Sequence, residues 1–282
     1  MKLATIRTRG TTAAVRIDDD YAVETGDLDV GTLLAHADWR TRAADARLSR
    51  HDVSGLDFAP VVPRPQKIFC IGLNYRSHIT EMGREIPEYP TIFAKFPPVL
   101  IGAHDELVLP AASAAVDWEG ELAVIVGSRV RNATAQAATE AIAGYAVLND
   151  VTARDWQNRT REWLQGKNFE ATTPFGPYLV TPDEFDPATA TLRTSVDGET
   201  VQQAETSDLV FDPAALVSYI STFITLEPGD VIATGTPGGV GHARKPQRYL
   251  AEGNVLATTI TGLGDCRNVC VDEKPHAACA AC

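Results

Sequence analysis

Three acids alternate in Asp117-Trp118-Glu119-Gly120-Glu121, and the segment runs directly into the apolar stretch Leu122-Ala123-Val124-Ile125-Val126. Successive side chains of a strand point to opposite faces, so a strand over 116–126 puts Asp117, Glu119 and Glu121 on one face. Three carboxylates at the mouth of a buried strand repel one another unless positive charge sits against them. A divalent cation with hard oxygen ligands (Mg²⁺, Mn²⁺ or Ca²⁺) answers that need. The same pattern also suits the charged, solvated face of an edge strand.

Other residues carry paired readings of the same kind. Asp150 closes the apolar run Tyr145–Asn149 and precedes a helical pattern over 151–164. It either completes the acid cluster or caps that helix. His78 and Glu81 stand three apart on a helix predicted over 74–82 and so face the same way. A carboxylate beside an imidazole orients the ring and raises its basicity, making a general base for water; a surface ion pair is the plainer alternative. Lys167 lies in Gln165-Gly166-Lys167-Asn168-Phe169, where it can meet a carboxylate or enolate oxygen or simply be solvated. The run Gly235-Thr236-Pro237-Gly238-Gly239-Val240-Gly241 follows a strand predicted over 231–234. Its backbone N–H groups suit an anion, or it is a tight turn. It lacks the Lys and Ser/Thr of a nucleotide-phosphate loop, and Pro237 with no helix pattern after it excludes a dinucleotide fingerprint.

The remaining chain sets the frame. Strand patterns at 3–7, 13–17 and 21–24, a helical stretch over 30–37 and a polar segment over 41–50 form a small N-terminal α/β unit, residues 1–62. Pro60, Pro63 and Pro65 make the connector. Beyond Lys67, strands are expected at 68–71, 91–96, 116–126, 145–149, 178–181, 191–196, 231–234 and 256–260. Helices are expected only at 74–82, 134–142, 151–164 and 213–223. Many strands with few helices indicate an α+β fold rather than regular βαβ alternation. A net charge of −12 argues against nucleic acid or an anionic membrane as partner. No apolar run is long enough to span a bilayer, and the N-terminus has no apolar signal core, so a cytoplasmic protein is expected. Four of the five cysteines fall in the last 17 residues, which is no disulfide framework.

Six motifs in order resemble the fumarylacetoacetate hydrolase superfamily over residues 67–271. They are Ile71-Gly72-Leu73-Asn74-Tyr75 leading to His78 and Glu81; Phe93-Ala94-Lys95; Asp117-Trp118-Glu119-Gly120-Glu121; Asn149-Asp150 with Thr152-Ala153-Arg154-Asp155; Gly166-Lys167-Asn168-Phe169; and Gly235 to Gly241. The resemblance implies a mixed β-roll over 63–272 and a homodimer. It implies that Glu119, Glu121 and Asp150 hold Mg²⁺ or Mn²⁺, for which Ca²⁺ can substitute, and that Asp117 shapes the strand. His78 and Glu81 match a water-activating dyad on a lid, and Lys167 a group acting on the intermediate. Gln157, Lys95, Gly235 and Thr236 match the substrate side, Thr236 at the substrate carboxylate. Arg84, on the lid, is a candidate for a distal carboxylate. Longer family members carry a fourth acidic ligand seven residues before the His; here that position is Ile71, which places the chain in a three-carboxylate branch. The tail 273–282 has no counterpart, and the irregular spacing of His276, Cys279 and Cys282 suits a loose tail rather than a zinc site.

The substrate implied is a small 2-oxo acid, with an acylpyruvate such as fumarylpyruvate first. Water activated by His78 attacks the distal carbonyl, the C–C bond breaks, and pyruvate and a carboxylic acid leave. Oxaloacetate decarboxylation, and isomerisation or hydration of the 2-hydroxy-dienoates of aromatic degradation, share the enolate half of this chemistry. A non-catalytic small-acid binder and a metal-dependent phosphatase or nuclease are the readings from other classes. The acidic charge and the lack of a basic phosphate-binding stretch count against the last.

Overall fold

The computed structural model describes residues 1–81, 83 and 85–274, with the backbone only for Glu81. Arg84, His276, Cys279 and Cys282 therefore lie outside the described residues, as does the side chain of Glu81.

The main sheet runs Arg50–Asp52, Tyr21–Glu24, Thr11–Asp18, Lys2–Thr8, Thr173–Val180, Ile142–Asn149, Gly120–Val126, Val231–Ala233, Ile68–Gly72 and Thr91–Lys95, with Leu100–Ile101 pairing Thr173–Val180 to the side. Most pairs are antiparallel, but Val231–Ala233 runs parallel to Ile68–Gly72. A second sheet orders Glu199–Glu205, Thr191–Val196, Val255–Ile260, Gly264–Asp272 and Leu107–Leu109. The helices are few and short, as an α+β roll requires. The first strand pairs with Thr173–Val180 at Lys2↔Val180 and Leu3↔Leu179, so residues 1–62 share one unbroken sheet with the rest. Within that N-terminal part the helical stretch divides. Val30–Leu34 is closed by an Asp29–Thr32 capping box, and Trp39–Ala44 forms a second helix in the polar segment.

The strand Gly120–Val126 is central and wholly buried. Leu122, Val124 and Val126 face one apolar core, and Ala123 and Ile125 face another. A strand buried on both faces reads as a continuous apolar run, and this one has no open edge. Its register sets the site. Gly120 pairs with Asn149, and on the other side Ala123 pairs with Ala233. The segments following Asn149 and Ala233 therefore emerge at the end of the sheet where Glu119 and Glu121 enter it.

Two expected elements are broken. The strand expected over 116–126 is Val116–Asp117 and Gly120–Val126, interrupted at Trp118 and Glu119. The cause is donor diversion. Trp118 N donates to Asp117 Oδ1 (2.9 Å), Glu119 N to Asn149 Oδ1 (2.9 Å) and Gly120 N to Gln202 Oε1 (3.0 Å), so side chains take bonds a ladder would have used. The helix expected over 151–164 is instead the strand Thr152–Ala153 and two single turns, Arg154–Gln157 and Leu164–Lys167. The second turn folds back onto the first. A Cβ on Gly166 would lie 2.5 Å from Gln157 N and 2.6 Å from Ala153 O, so only glycine permits that approach.

Candidate active site

Glu119, Glu121 and Asp150 come together from two segments about thirty residues apart in sequence. Each offers a carboxylate oxygen within 4.8 Å of the others, and all three are buried. The link is local: Asp150 N donates to Glu119 O at 2.8 Å. Asp150 is therefore not the cap of a helix, and its carboxylate is turned to two ammonium groups. Lys95 Nζ lies 2.6 Å from Oδ1 and Lys167 Nζ 2.6 Å from Oδ2. Lys167 also reaches Glu119 Oε2 at 2.7 Å. Arg154 meets the other oxygen of Glu119 at 2.6 Å and Asp117 Oδ2 at 2.8 Å.

Asp117 stands apart from the three. Its Oδ1 accepts from Gly241 N (2.7 Å) and its Oδ2 from His242 N (2.9 Å), so it anchors the Gly-rich loop. At the other end of that loop Gly235 N donates to Glu121 Oε2 at 2.7 Å. Gly235 has φ +104, and a Cβ there would meet Ile71 O and Asn74 Cβ at 2.9 Å, so the turn that aims this N–H needs glycine.

The electrostatics divide the carboxyls. Burial alone would raise Glu119, but Lys167 and Arg154 outweigh it and hold the carboxyl at about 2. Among the described residues Glu121 has no cation paired directly with it, and Lys167 and the Gly235 N–H only partly offset its burial. Burial first, then Asp150 and Glu119, push it well above the ordinary glutamate range. Four acids (Asp117, Glu119, Glu121, Asp150) face three bases (Lys95, Arg154, Lys167), so with all of them charged the cluster is left with a surplus negative charge. A hard divalent cation fits this donor set. The oxygens are grouped as around one ion with bonds of about 2.1–2.5 Å, and the surplus charge is negative. Cys70 does not compete as a soft ligand, because burial and the nearby Asp150 and Glu121 keep its thiol protonated.

A cavity of about 290 Å³ reaches the cluster at Glu119, Arg154 and Lys167. Its walls include His78, Glu119, Arg154, Gln157, Lys167 and Thr236. Phe93, whose ring lies 4.9 Å from Lys167 Nζ, and Trp163 supply apolar wall. His78 comes from the helix Arg76–Glu81, with Glu81 at its end. Lys95, expected beside the substrate, is buried and directed to Asp150 and to Val151 O (3.1 Å). Gln157 accepts from Arg154 at 3.0 Å. Arg154, Trp163 and His242 were not assigned a role from sequence, although each lines the cavity. For Arg154 a signal existed: a basic residue four after Asp150, inside a motif already noted.

Residues 67–271 match the family described as fumarylacetoacetate (FAA) hydrolase C-terminal. The chain is 43% identical over 226 residues to the mitochondrial oxaloacetate tautomerase FAHD2A of Homo sapiens, covering 79% of this chain and 72% of that protein. Among solved structures, a fumarylacetoacetate hydrolase from psychrophilic Exiguobacterium antarcticum superposes with a TM-score of 0.87 at 32% identity, over 97% of this chain and 100% of that one. A 5-carboxymethyl-2-hydroxymuconate delta-isomerase from Mycobacterium smegmatis gives a TM-score of 0.82 at 32% identity, over 98% and 100%.

Proposed function

The chain belongs to the fumarylacetoacetate hydrolase family, and from that premise we propose that it is a divalent-metal-dependent enzyme that interconverts the enol and keto forms of a small 2-oxo dicarboxylate of the oxaloacetate kind. The observation that carries this reading is the buried grouping of Glu119, Glu121 and Asp150, with Lys167 bridging Glu119 and Asp150 and Glu119 reaching the cavity that His78 lines. The names of the sequence relatives support it and move acylpyruvate hydrolysis, first on the sequence reading, to second place.

Tautomerisation moves one proton between the enol oxygen and the carbon α to the carbonyl, and its cost lies in the enolate charge. A divalent cation held by Glu119, Glu121 and Asp150 supplies positive charge against that oxygen when bound. The ammonium of Lys167 adds fixed positive charge from the protein side. In this reading His78, on the cavity wall, holds or delivers the proton at carbon. Gln157 and the Thr236 loop orient the acid end of the substrate, while Phe93 and Trp163 keep water from that wall.

Hydrolysis is the second reading, favoured by His78 and by the likeness to a solved fumarylacetoacetate hydrolase. It requires His78 to activate water for attack on a distal carbonyl. One panel separates the readings: Mg²⁺-loaded protein is given enol-oxaloacetate, fumarylpyruvate and acetylpyruvate, and enol decay, carbon dioxide and pyruvate are followed. Accelerated enol decay with little carbon dioxide supports tautomerisation. Pyruvate from the diketo acids without accelerated enol decay puts hydrolysis first. Folded, Mg²⁺-binding protein that accelerates none of them leaves only a binding role.

A homodimer is proposed from the family resemblance and is read by sedimentation equilibrium. No helix among the described residues is long and apolar enough to cross a membrane. The cytoplasmic location expected from the sequence stands as a proposal beside relatives named as mitochondrial.

A further inference from the structure

Gln202 lies on the strand Glu199–Glu205 of the second sheet, outside every motif that marked the site. It is 2% exposed. Its Oε1 accepts from Gly120 N at 3.0 Å, and its Nε2 donates to Thr236 Oγ1 at 2.8 Å and to Pro237 O at 3.0 Å. Thr236 Oγ1 in turn donates to Gly120 O at 3.0 Å. Gln202 and Thr236 thus close a ring of hydrogen bonds over both backbone polar groups of Gly120. That residue stands between Glu119 and Glu121.

The chemistry of the ring is specific. A primary amide offers an acceptor at one corner and two donors at the other, and this position uses all three. A carboxylate would set an acceptor against Pro237 O. Thr236 has a single hydroxyl hydrogen, committed to Gly120 O, so that hydroxyl has none left for a substrate carboxylate. A shift of the Thr236 loop toward an anion therefore pulls on Gly120 directly and through Gln202.

We infer that Gln202 is a positioning residue that couples the Thr236 loop to the spacing of Glu119 and Glu121. Substrate contact and metal-ligand geometry then change together. The substrate half of this statement rests on the proposed function; the metal half does not.

The test measures Mg²⁺ affinity by calorimetry without substrate, in wild type and in Gln202→Met, which keeps length and removes the three bonds. Outer-shell partners of metal ligands are typically worth 10–100-fold in affinity. Gln202→Met is expected to weaken Mg²⁺ by at least about 10-fold while keeping the native circular dichroism spectrum. It should also raise KM for oxaloacetate more than it lowers kcat. Val201→Ala, which truncates a buried neighbour on the same strand, is the control: it should lower the melting temperature and leave Mg²⁺ affinity unchanged. If Gln202→Met does not fold, Thr236→Val tests the other side of the ring with the same expectation. Unchanged Mg²⁺ affinity in a folded Gln202→Met, or an equal loss in Val201→Ala, overturns the proposal. Because the metal is titrated without substrate, wild-type protein inactive on oxaloacetate would sink the functional reading and leave this one standing.

Discussion

Lys95 and Asp150 form a fully buried ion pair, Nζ to Oδ1 at 2.6 Å, with no exposed surface on either side chain. The lysine that the motif order set beside the substrate lies behind the carboxylate cluster and neutralises it from within. Removing Lys95 leaves the buried Asp150 with Lys167 alone, which Asp150 shares with Glu119.

Lys95→Met should therefore destabilise the metal-free protein. The expected cost is about 3–5 kcal/mol, or roughly 6–20 °C in melting temperature for a chain of this size. Added Mg²⁺ should recover most of it, since the cation supplies the charge that was removed. Melting curves with and without Mg²⁺ check this. A loss that Mg²⁺ leaves untouched would mean that the pair serves packing alone.

The pH dependence of metal binding follows from the divided carboxyls. The folded-state value of Glu119, about 2, lies below its unfolded value, so its contribution is present above the ordinary glutamate range and fades as pH falls toward 2. Glu121 acts oppositely. Its folded-state value is raised, so the metal-free protein loses stability as pH rises above the unfolded glutamate range. Mg²⁺ needs the charged form and displaces that proton. Mg²⁺ should then raise the melting temperature more at about pH 8 than at about pH 5.5, with proton release on titration. Equal shifts at the two pH values contradict the assignment of Glu121.

His78→Ala separates hydrolysis of an acylpyruvate from decarboxylation of oxaloacetate. If His78 activates water, hydrolysis of an acylpyruvate should fall by roughly 10²–10⁴-fold, and oxaloacetate decarboxylation, which needs no attacking water, should fall less. Parallel assays of pyruvate and carbon dioxide release decide it. Equal losses would argue against a water-activating role.

Asp117→Asn tests whether that acid is an anchor. Its two oxygens accept from Trp118 N, Gly241 N, His242 N and Arg154 Nε. An amide cannot accept at both oxygen positions, and the buried Arg154 loses a charge partner. Stability should fall by about 3–5 kcal/mol in urea, KM should rise as the Gly-rich loop loosens, and Mg²⁺ should still bind at one site. Loss of stoichiometric Mg²⁺ from folded protein would make Asp117 a ligand after all.

Much of the fold was legible locally. The strand expected at 191–196 and the helix expected over 213–223 match Thr191–Val196 and Pro213–Ser221, because their signals lie within a few adjacent residues. The errors have a common cause. The break at Trp118–Glu119 depends on Asn149 and Gln202, and the broken helix after Asp150 depends on Arg154 turning to Asp117 and Glu119 and on Gly166 folding back. No window of adjacent residues contains those partners.

The sequence by itself determined which residues come into question for a site: alternating acids feeding a buried strand, an isolated Asp at a strand end, a Gly-rich turn, and a lysine after a glycine. Side-chain period and turn chemistry are properties of a few consecutive residues, so they survive without the fold. Only the tertiary structure decided which charge faces which. The Gly120↔Asn149 register brings Asp150 to Glu119, Lys95 goes behind the cluster, Lys167 goes across it, and Gln202 arrives from another sheet. Those pairings are set by ladder register and loop closure between segments tens of residues apart, and buried charges take the partners that such geometry delivers.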